Sequence, residues 1–435
     1  MPILRRFLLV LGVFSTASVW AMDRNVPADF PSIQSALDAA LDGDRVVVAP
    51  GRYYEVLRFP ARNIHMTSSA GPALTTIDAQ QNGTVVTFEG APGRGAILEG
   101  FTLTNGLGSV GSKGGGIQMG QGASAVVRGN VIRQNRGSGN GDGVSMEYPL
   151  SPLIEGNDIH HNGSGPGWSS GGGGGIGVRG SACLSMPNCG VEILNNYIGN
   201  NYSTTHSSGG GIYFDGARAA VISNVIEYNT ASGRGGGLSS VSGGPVRVEN
   251  NLFHANWVVE SGGSGGSGGG IYLIACPDCA DHVIVNNTFV ANEAFTGSAI
   301  KTMSYGGEIR VANNLISAVG NGSAVYCDTG ATPSTRNNIV HVPYGTAYAG
   351  LCAAMSGLNG NQTAAPVFAG EFDFRLQVGS PGVDEGDNTE SSQTIDLAGK
   401  TRIADGDGDG DSIIDVGAYE LPPPTIFADG FEATL

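Results

Sequence analysis

SNVIEYN at residues 223–229, NNLFHAN at 250–256 and NNTFVAN at 286–292 are one phrase written three times. Upstream it reads GNVIRQN (129–135), GNDIHHN (156–162) and NNYIGNN (195–201); downstream, worn copies follow as NNLIS from Asn313 and NNIVH from Asn337. Between copies runs a glycine-rich stretch and an apolar segment, as in GGGIYF (209–214) and GGGIYL (268–273). Measured on Asn130, Asn157, Asn196, Asn224, Asn251, Asn287, Asn314 and Asn338, the spacings are 27, 39, 28, 27, 36, 27 and 24. Such self-similarity signals a solenoid, whose units bury their apolar faces only against neighbours. The local alternation has period 2, with β-branched residues between Gly and Asn, which selects strands and corners over helices. Asn tolerates the left-handed backbone of a sharp corner, and its amide can bond the same amide one rung on. Two such columns are expected: Asn195/Asn250/Asn286/Asn313/Asn337 and the aligned series above. The fold class that follows is all-β, a coil of parallel strands.

Bulk properties narrow the partners. Acidic residues number 38 against 22 basic, a formal net charge of −16, the wrong sign for nucleic acid. Charged residues make up 14%, leaving a neutral Asn, Ser, Thr and Gly surface suited to sugars or to simple solubility. Residues 1–21 read as a secretory signal: Arg5 and Arg6, the apolar run 7–14, then Val19-Trp20-Ala21. No later stretch approaches the roughly 20 apolar residues of a membrane span. The expectation is an exported chain, secreted or on the outer surface of a Gram-negative bacterium.

The repeat over roughly residues 23–340 resembles the right-handed parallel β-helix proteins of the pectate-lyase-like superfamily. FPSIQSAL (30–37) and GDRVVVAPGRY (43–53) look like that group's capping helix and first strand. Independently, Ile33, Leu37, Ala40 and Leu41 share one helical face, with Pro31 in the first turn and Gly43 past the end. The helix would cover the open edge of the first rung. The chain departs from the superfamily's enzymes in having no Asp-Asp pair and no aspartate cluster between 100 and 340. Their catalytic patterns are therefore not carried over.

Six cysteines in an exported chain point to disulfides. Cys183 and Cys189 follow one glycine-run strand, and Cys276 and Cys279 occupy the same loop three rungs later. Three rungs is about 14 Å, beyond the roughly 7 Å limit between bridged Cα atoms. Local pairing follows: Cys183–Cys189, Cys276–Cys279 and, by elimination, Cys327–Cys352.

After Asn361 the repeat stops. Residues 374–376, 379–386, 396–399 and 415–420 resemble the choice-of-anchor Q type module of exported bacterial β-helix proteins, which implies a surface location. Residues 361–421 are expected to form that closing unit, with a Pro-rich spacer and a sorting-like tail at 422–435. Within it, Asp405, Asp407, Asp409 and Asp411 alternate with glycine, and Asp415 follows. Alternate carboxylates let a short loop wrap oxygens around calcium. The acid an EF-hand needs at loop position twelve is Val416 here, so the loop is of another type.

Parallel β-helix enzymes place chemistry on outward strand positions. Aligning the glycine-run strands on Ile117, Val144, Ile176, Ile212, Leu238, Ile271, Ile300 and Val325 puts Glu147, Arg179 and Asp215 on successive rungs, about 5 Å apart per step. This acid–Arg–acid row is the candidate catalytic set, for acid–base work on a glycosidic bond or for pairing a uronate while a base removes its α-proton. A solvated salt-bridge ladder is the structural alternative. The next-position column supplies Tyr213 and Tyr272, and Trp168 and Trp257 are further rings that would stack on sugars. A row after the aligned Asn carries His160 and His254 as candidate substrate-binding groups. Three functions follow: a polysaccharide- or glycan-binding surface protein, a depolymerase of acidic polysaccharide, or a structural adhesin. Calcium is the one cofactor implied, and oligomeric state stays open.

Overall fold

The computed structural model describes residues 21–108, 114–137, 140–163, 172–180, 189–203, 208–242, 244–259, 266–275, 281–320, 322–330 and 332–424. The chain winds as a right-handed parallel β-helix. Among the described residues, sheet A has twelve strands from Asp23–Val26 to Ser334–Arg336. Sheet B has eleven from Gly51–Tyr53 to Ile339–His341, and sheet C eleven from Leu57–Phe59 to Thr346–Gly350. A full turn runs C, A, B, as in Val144–Glu147, Leu153–Glu155 and Asp158–His160. Every pairing among these strands is parallel, for instance Ile212↔Leu238 and Tyr213↔Ser239. The eight anchors used to align the glycine-run strands form one buried column of sheet C, from Ile117 to Val325. Ile132, Ile159, Ile198, Ile226, Phe253 and Phe289 stack likewise inside sheet B.

The two Asn columns divide the work. The first is left-handed backbone: Asn195, Asn250, Asn286, Asn313 and Asn337 have φ between 47° and 60°. The second is an amide ladder. Asn224 Nδ2 donates to Asn251 Oδ1 at 3.0 Å, to Ile193 O at 2.8 Å and to Ile222 O at 3.0 Å. Its Oδ1 accepts from Asn196 N and Nδ2 at 2.9 and 3.0 Å. The amide-to-amide bonds repeat from Asn130 to Asn361, so each buried amide is satisfied by its copies on neighbouring rungs together with backbone carbonyls. A second ladder, unanticipated, runs through Asn135, Asn162, Asn201, Asn229, Asn256 and Asn292 at the far end of sheet B. There too a left-handed residue precedes each Asn, from Gln134 to Ala291.

Glycine runs occur where the chain enters sheet C. Gly209 and Gly268 take φ of 74° and 70°, and an added Cβ would meet the carbonyls of Ile212 and Ile271. Only glycine fits that turn.

A helix, α1 (Ile33–Ala39), packs on the first strands. Ser32 caps it, accepting from Ser35 N, so Pro31 stands before the helix and not in its first turn. Ile33, Ala36 and Leu37 are buried, whereas Leu41 is 52% exposed. The helix ends before Leu41, which therefore leaves the face on which it was expected.

At the other end the C-terminal segment doubles back over the outside of the coil. Leu376, Val383 and Val416 bury against Leu315 and Ile339 of sheet B. Glu390 pairs with Arg310 at 3.1 Å and Arg336 at 3.3 Å, while Gly417 N donates to Asn313 O. Cys327 and Cys352 form a disulfide with 5.4 Å between Cα atoms. Cys189 is also disulfide-bonded; Cys183, Cys276 and Cys279 lie outside the described residues, as do Trp168, the signal stretch 1–20 and the tail 425–435. No helix among the described residues is long and apolar enough to cross a membrane.

Candidate ligand-binding strip on sheet C

Strand register decides which outward side chains meet. Glu147, Arg179 and Asp215 are direct neighbours on three successive strands, followed by Val241. Arg179 is exposed and the two acids half-buried, and no ion pair joins the three. The adjacent column runs Gly177, Tyr213, Ser239, Tyr272, Lys301 and Tyr326. Tyr213 and Tyr272 thus share one face, two rungs apart, but only Tyr213 is half-buried; Tyr272, expected to face a ligand, is 2% exposed because neighbouring side chains cover it.

Four groups not singled out from sequence complete the strip. Arg234, at the mouth of a glycine run, lays its guanidinium 5.1 Å from the centre of the Tyr272 ring. Lys301 Nζ sits 4.9 Å over the Tyr326 ring and 3.2 Å from Asp328 Oδ2. It also donates to Ser267 Oγ and Thr296 Oγ1 at 3.3 Å each. Tyr272 Oη donates to Met303 Sδ at 3.0 Å. Lys301, Tyr326 and Asp328 occupy the same two columns as the selected residues, so their signal was present in the alignment. Arg234 lies outside any strand, where alignment by strand is blind.

Electrostatics tie the strip together. Burial pushes the Tyr213 phenol up to about 12, helped by the Asp215 charge and opposed by Arg179 and Arg234. Burial also raises Tyr272, against the pull of Arg234. Both phenols are neutral hydrogen-bonding groups at physiological pH. Cations over aromatic faces, with carboxylates alongside, form a surface that can pair a sugar carboxylate, and the half-buried Tyr213 is a ring left to stack a sugar.

The two histidines stand elsewhere, on the outer face of sheet B. His160 Nδ1 lies 2.7 Å from His161 Nδ1 and its Nε2 3.8 Å from Asp158. Burial lowers its pKa, with Asp158 opposing. His254 is 7% exposed. Its Nδ1 is 3.0 Å from Glu227, and its ring packs 4.8 Å from Phe374 and 5.0 Å from Tyr228. The expected ligand-facing position is thus a docking point for the C-terminal segment, because Phe374 covers it.

The acidic loop also rearranges the expected ligand set. Carboxylate oxygens of Asp384, Asp405 and Asp407 lie within 4.8 Å of one another. Asp384 Oδ1 is buried without a partner, and burial, then the neighbouring acids, raise its pKa. A hard cation fits this all-oxygen donor set. Asp409 and Asp411 are exposed outside the group. Asp415 is buried, its oxygens accepting from Asp384 N at 2.8 Å and Leu421 N at 2.6 Å; burial pushes it up to about 7. It braces the loop from beneath, and Asp384, 31 residues upstream, takes the place expected of it.

Among solved structures the chain is similar to a mannuronic acid specific polysaccharide family 6 lyase enzyme from human gut microbiota. The identity is 15% over 78% of this chain and 85% of that one, with a TM-score of 0.40. It is also similar to a mutant of the PL6 family alginate lyase AlyGC, at 14% identity over 81% of this chain and 55% of that one, TM-score 0.30. No curated protein matches the chain. The family described as right handed beta helix region matches residues 64–361. With its three parallel sheets and its Asn ladders, the chain belongs to the right-handed β-helix family.

Proposed function

We propose that this is an exported protein, secreted or held at a cell surface, that binds acidic polysaccharide along sheet C. The observation that carries the reading is the pair of cation–ring stacks, Arg234 on Tyr272 and Lys301 on Tyr326, aligned along one strand column beside Arg179. In a chain of net charge −16, cations gathered on an aromatic strip favour a carboxylate-bearing ligand. The Cys327–Cys352 disulfide supports an oxidising compartment. We read the C-terminal segment as the choice-of-anchor Q type module and Asp384, Asp405 and Asp407 as its calcium site. The buried, unpartnered Asp384 Oδ1 supports that assignment.

A second reading is depolymerisation. Glu147 and Asp215 flank Arg179 two rungs apart, roughly 10 Å between backbones. That spacing leaves room for a water between carboxyls, as inverting hydrolysis requires. Calorimetric titration with oligouronates, alongside assays for reducing ends and for unsaturated-uronate absorbance, separates the readings. Binding without product supports a binding module. Product lost in Arg179→Ala supports depolymerisation, and silence in all three assays overturns both in favour of a structural adhesin.

A further inference from the structure

Beyond sheet B a fourth, small sheet forms: Tyr202–Ser203, Thr230–Ala231 and Trp257–Val258. Register pairs Tyr202 with Thr230 and Thr230 with Trp257. Ser203, Ala231 and Val258 turn inward and are buried, so the pleat drives Tyr202, Thr230 and Trp257 outward. Tyr202 is 38% and Trp257 50% exposed. Single exposed rings are ordinary on a soluble surface; what sets these two apart is that they share one outward column of one sheet.

A polar column runs beside them. The left-handed corner that ends sheet B presents Asn105, Gln134, His161, Asn200 and Tyr228 on consecutive rungs, with φ between 54° and 56°. Gln134, His161, Asn200 and Tyr228 are exposed. The Tyr228 ring is braced edge-on against His254, which Glu227 holds in turn. At the N-terminal end this column opens into a polar groove of about 290 Å³ lined by Gln81, Asn105, Gln134, Arg136 and His161.

We infer that this corner is a second binding site, for a neutral β-linked glycan chain lying parallel to the axis of the coil. Tyr202 and Trp257 stand two rungs apart, roughly 10 Å, a distance comparable to the length of a disaccharide unit. Successive like-facing pyranose rings of a straight chain would then meet the two aromatic faces, each stacking its apolar C–H surface. The amides of Gln134 and Asn200 alternate donor and acceptor, as sugar hydroxyls do. No cation stacks on Tyr202 or Trp257 among the described residues; the column carries Arg136 at one end and Glu293 beside Trp257 at the other, charges of opposite sign that leave the strip neutral overall. The site does not depend on the sheet C reading.

The test uses the full chain. Its tryptophans are Trp20, Trp168 and Trp257, so a W20F/W168F background leaves Trp257 as the reporter. Cellohexaose, xylohexaose and mannohexaose serve as probes, with an oligouronate as comparison. Saturable quenching of Trp257 by at least one neutral hexaose is expected. By calorimetry, Trp257→Ala and Tyr202→Ala each weaken that binding tenfold or more at unchanged melting temperature, while Arg234→Ala leaves it intact. Absence of quenching by all three hexaoses overturns the inference, as does neutral-glycan binding that both aromatic variants retain. Concentration-dependent dimerisation lost in Trp257→Ala, without glycan binding, also overturns it and assigns the rings to self-association.

Discussion

Ser392 reaches back 143 residues to Glu249: its backbone N donates to Glu249 Oε1 at 2.7 Å and its Oγ to Oε2 at 2.6 Å. Glu249 is fully buried and also accepts from Arg247 Nε at 2.6 Å. The C-terminal segment is thus clamped to the end of a sheet A strand by one carboxylate. Glu249→Ala orphans Arg247 and both Ser392 donors, a change expected to cost about 3 kcal/mol. Limited proteolysis should then release the segment beyond residue 361 while the coil stays intact. An unchanged digestion pattern would count against the clamp.

The clamp sets an acid limit. Burial alone would raise Glu249, but the hydrogen bond and charge of Arg247 and the Ser392 donors outweigh it and hold the group below its ordinary value of 4.5. Stabilisation from a depressed acid is present above that ordinary value and is lost as pH falls through the lower folded value. Glu420 has the opposite sign. Burial pushes it up to about 9 despite Arg402, so its contribution holds below 4.5 and is lost as pH rises through about 9. Calorimetric scans from pH 2 to 10 should show the segment loosening at both ends. Glu420→Gln, which mimics the protonated form, should flatten the alkaline limb only.

The Asn ladder predicts a graded response to position. Asn224→Ala removes three donated bonds and two accepted ones in the dry interior, leaving groups of both neighbouring rungs unpaired. The expected loss is about 3 kcal/mol in urea unfolding. Asn130, at the start of the ladder, has a laddered amide on one side only, so Asn130→Ala should cost less. Equal losses at both sites would contradict a ladder that draws strength from both sides.

On sheet C, Arg234→Ala removes a cation and its cover over the Tyr272 ring, itself 2% exposed, and leaves the inward-facing core column untouched. Affinity for an oligouronate should fall about tenfold, near 1.4 kcal/mol, with the melting temperature unchanged. Wild-type affinity should itself weaken as salt rises, because exposed charge pairing is screened.

Calcium binding by Asp384, Asp405 and Asp407 would relieve the repulsion among three close carboxylates. Free calcium at about a hundredfold above the dissociation constant should stabilise the segment by about 2.7 kcal/mol. The gain should disappear in Asp384→Asn and survive in Asp411→Asn, as read by thermal unfolding with and without a chelator.

Much of the site was legible because strand register in a solenoid is nearly a property of the repeat. Once Ile212, Leu238 and Ile271 align, the neighbours of Tyr213 follow by counting. Arg234 and Tyr202 escaped for the same reason: both lie in the variable connection between sheets B and C, where spacing between rungs changes from 27 to 39 residues. His254 and Asp415 have motif-like positions yet are covered, since nothing in a local pattern says what another part of the chain will pack upon.

By itself the sequence determined the coil. Its period, its alternation and its Asn and Gly corners are local, and the hydrogen bonds they demand can be met only by the next copy. Tertiary structure decided the rest: which face the returning C-terminal segment covers, which acids converge on Asp384, and which rings stay in water. Those outcomes depend on contacts between residues far apart in sequence, from 23 positions for Asp384 and Asp407 to 143 for Glu249 and Ser392, whose free energy no local pattern records.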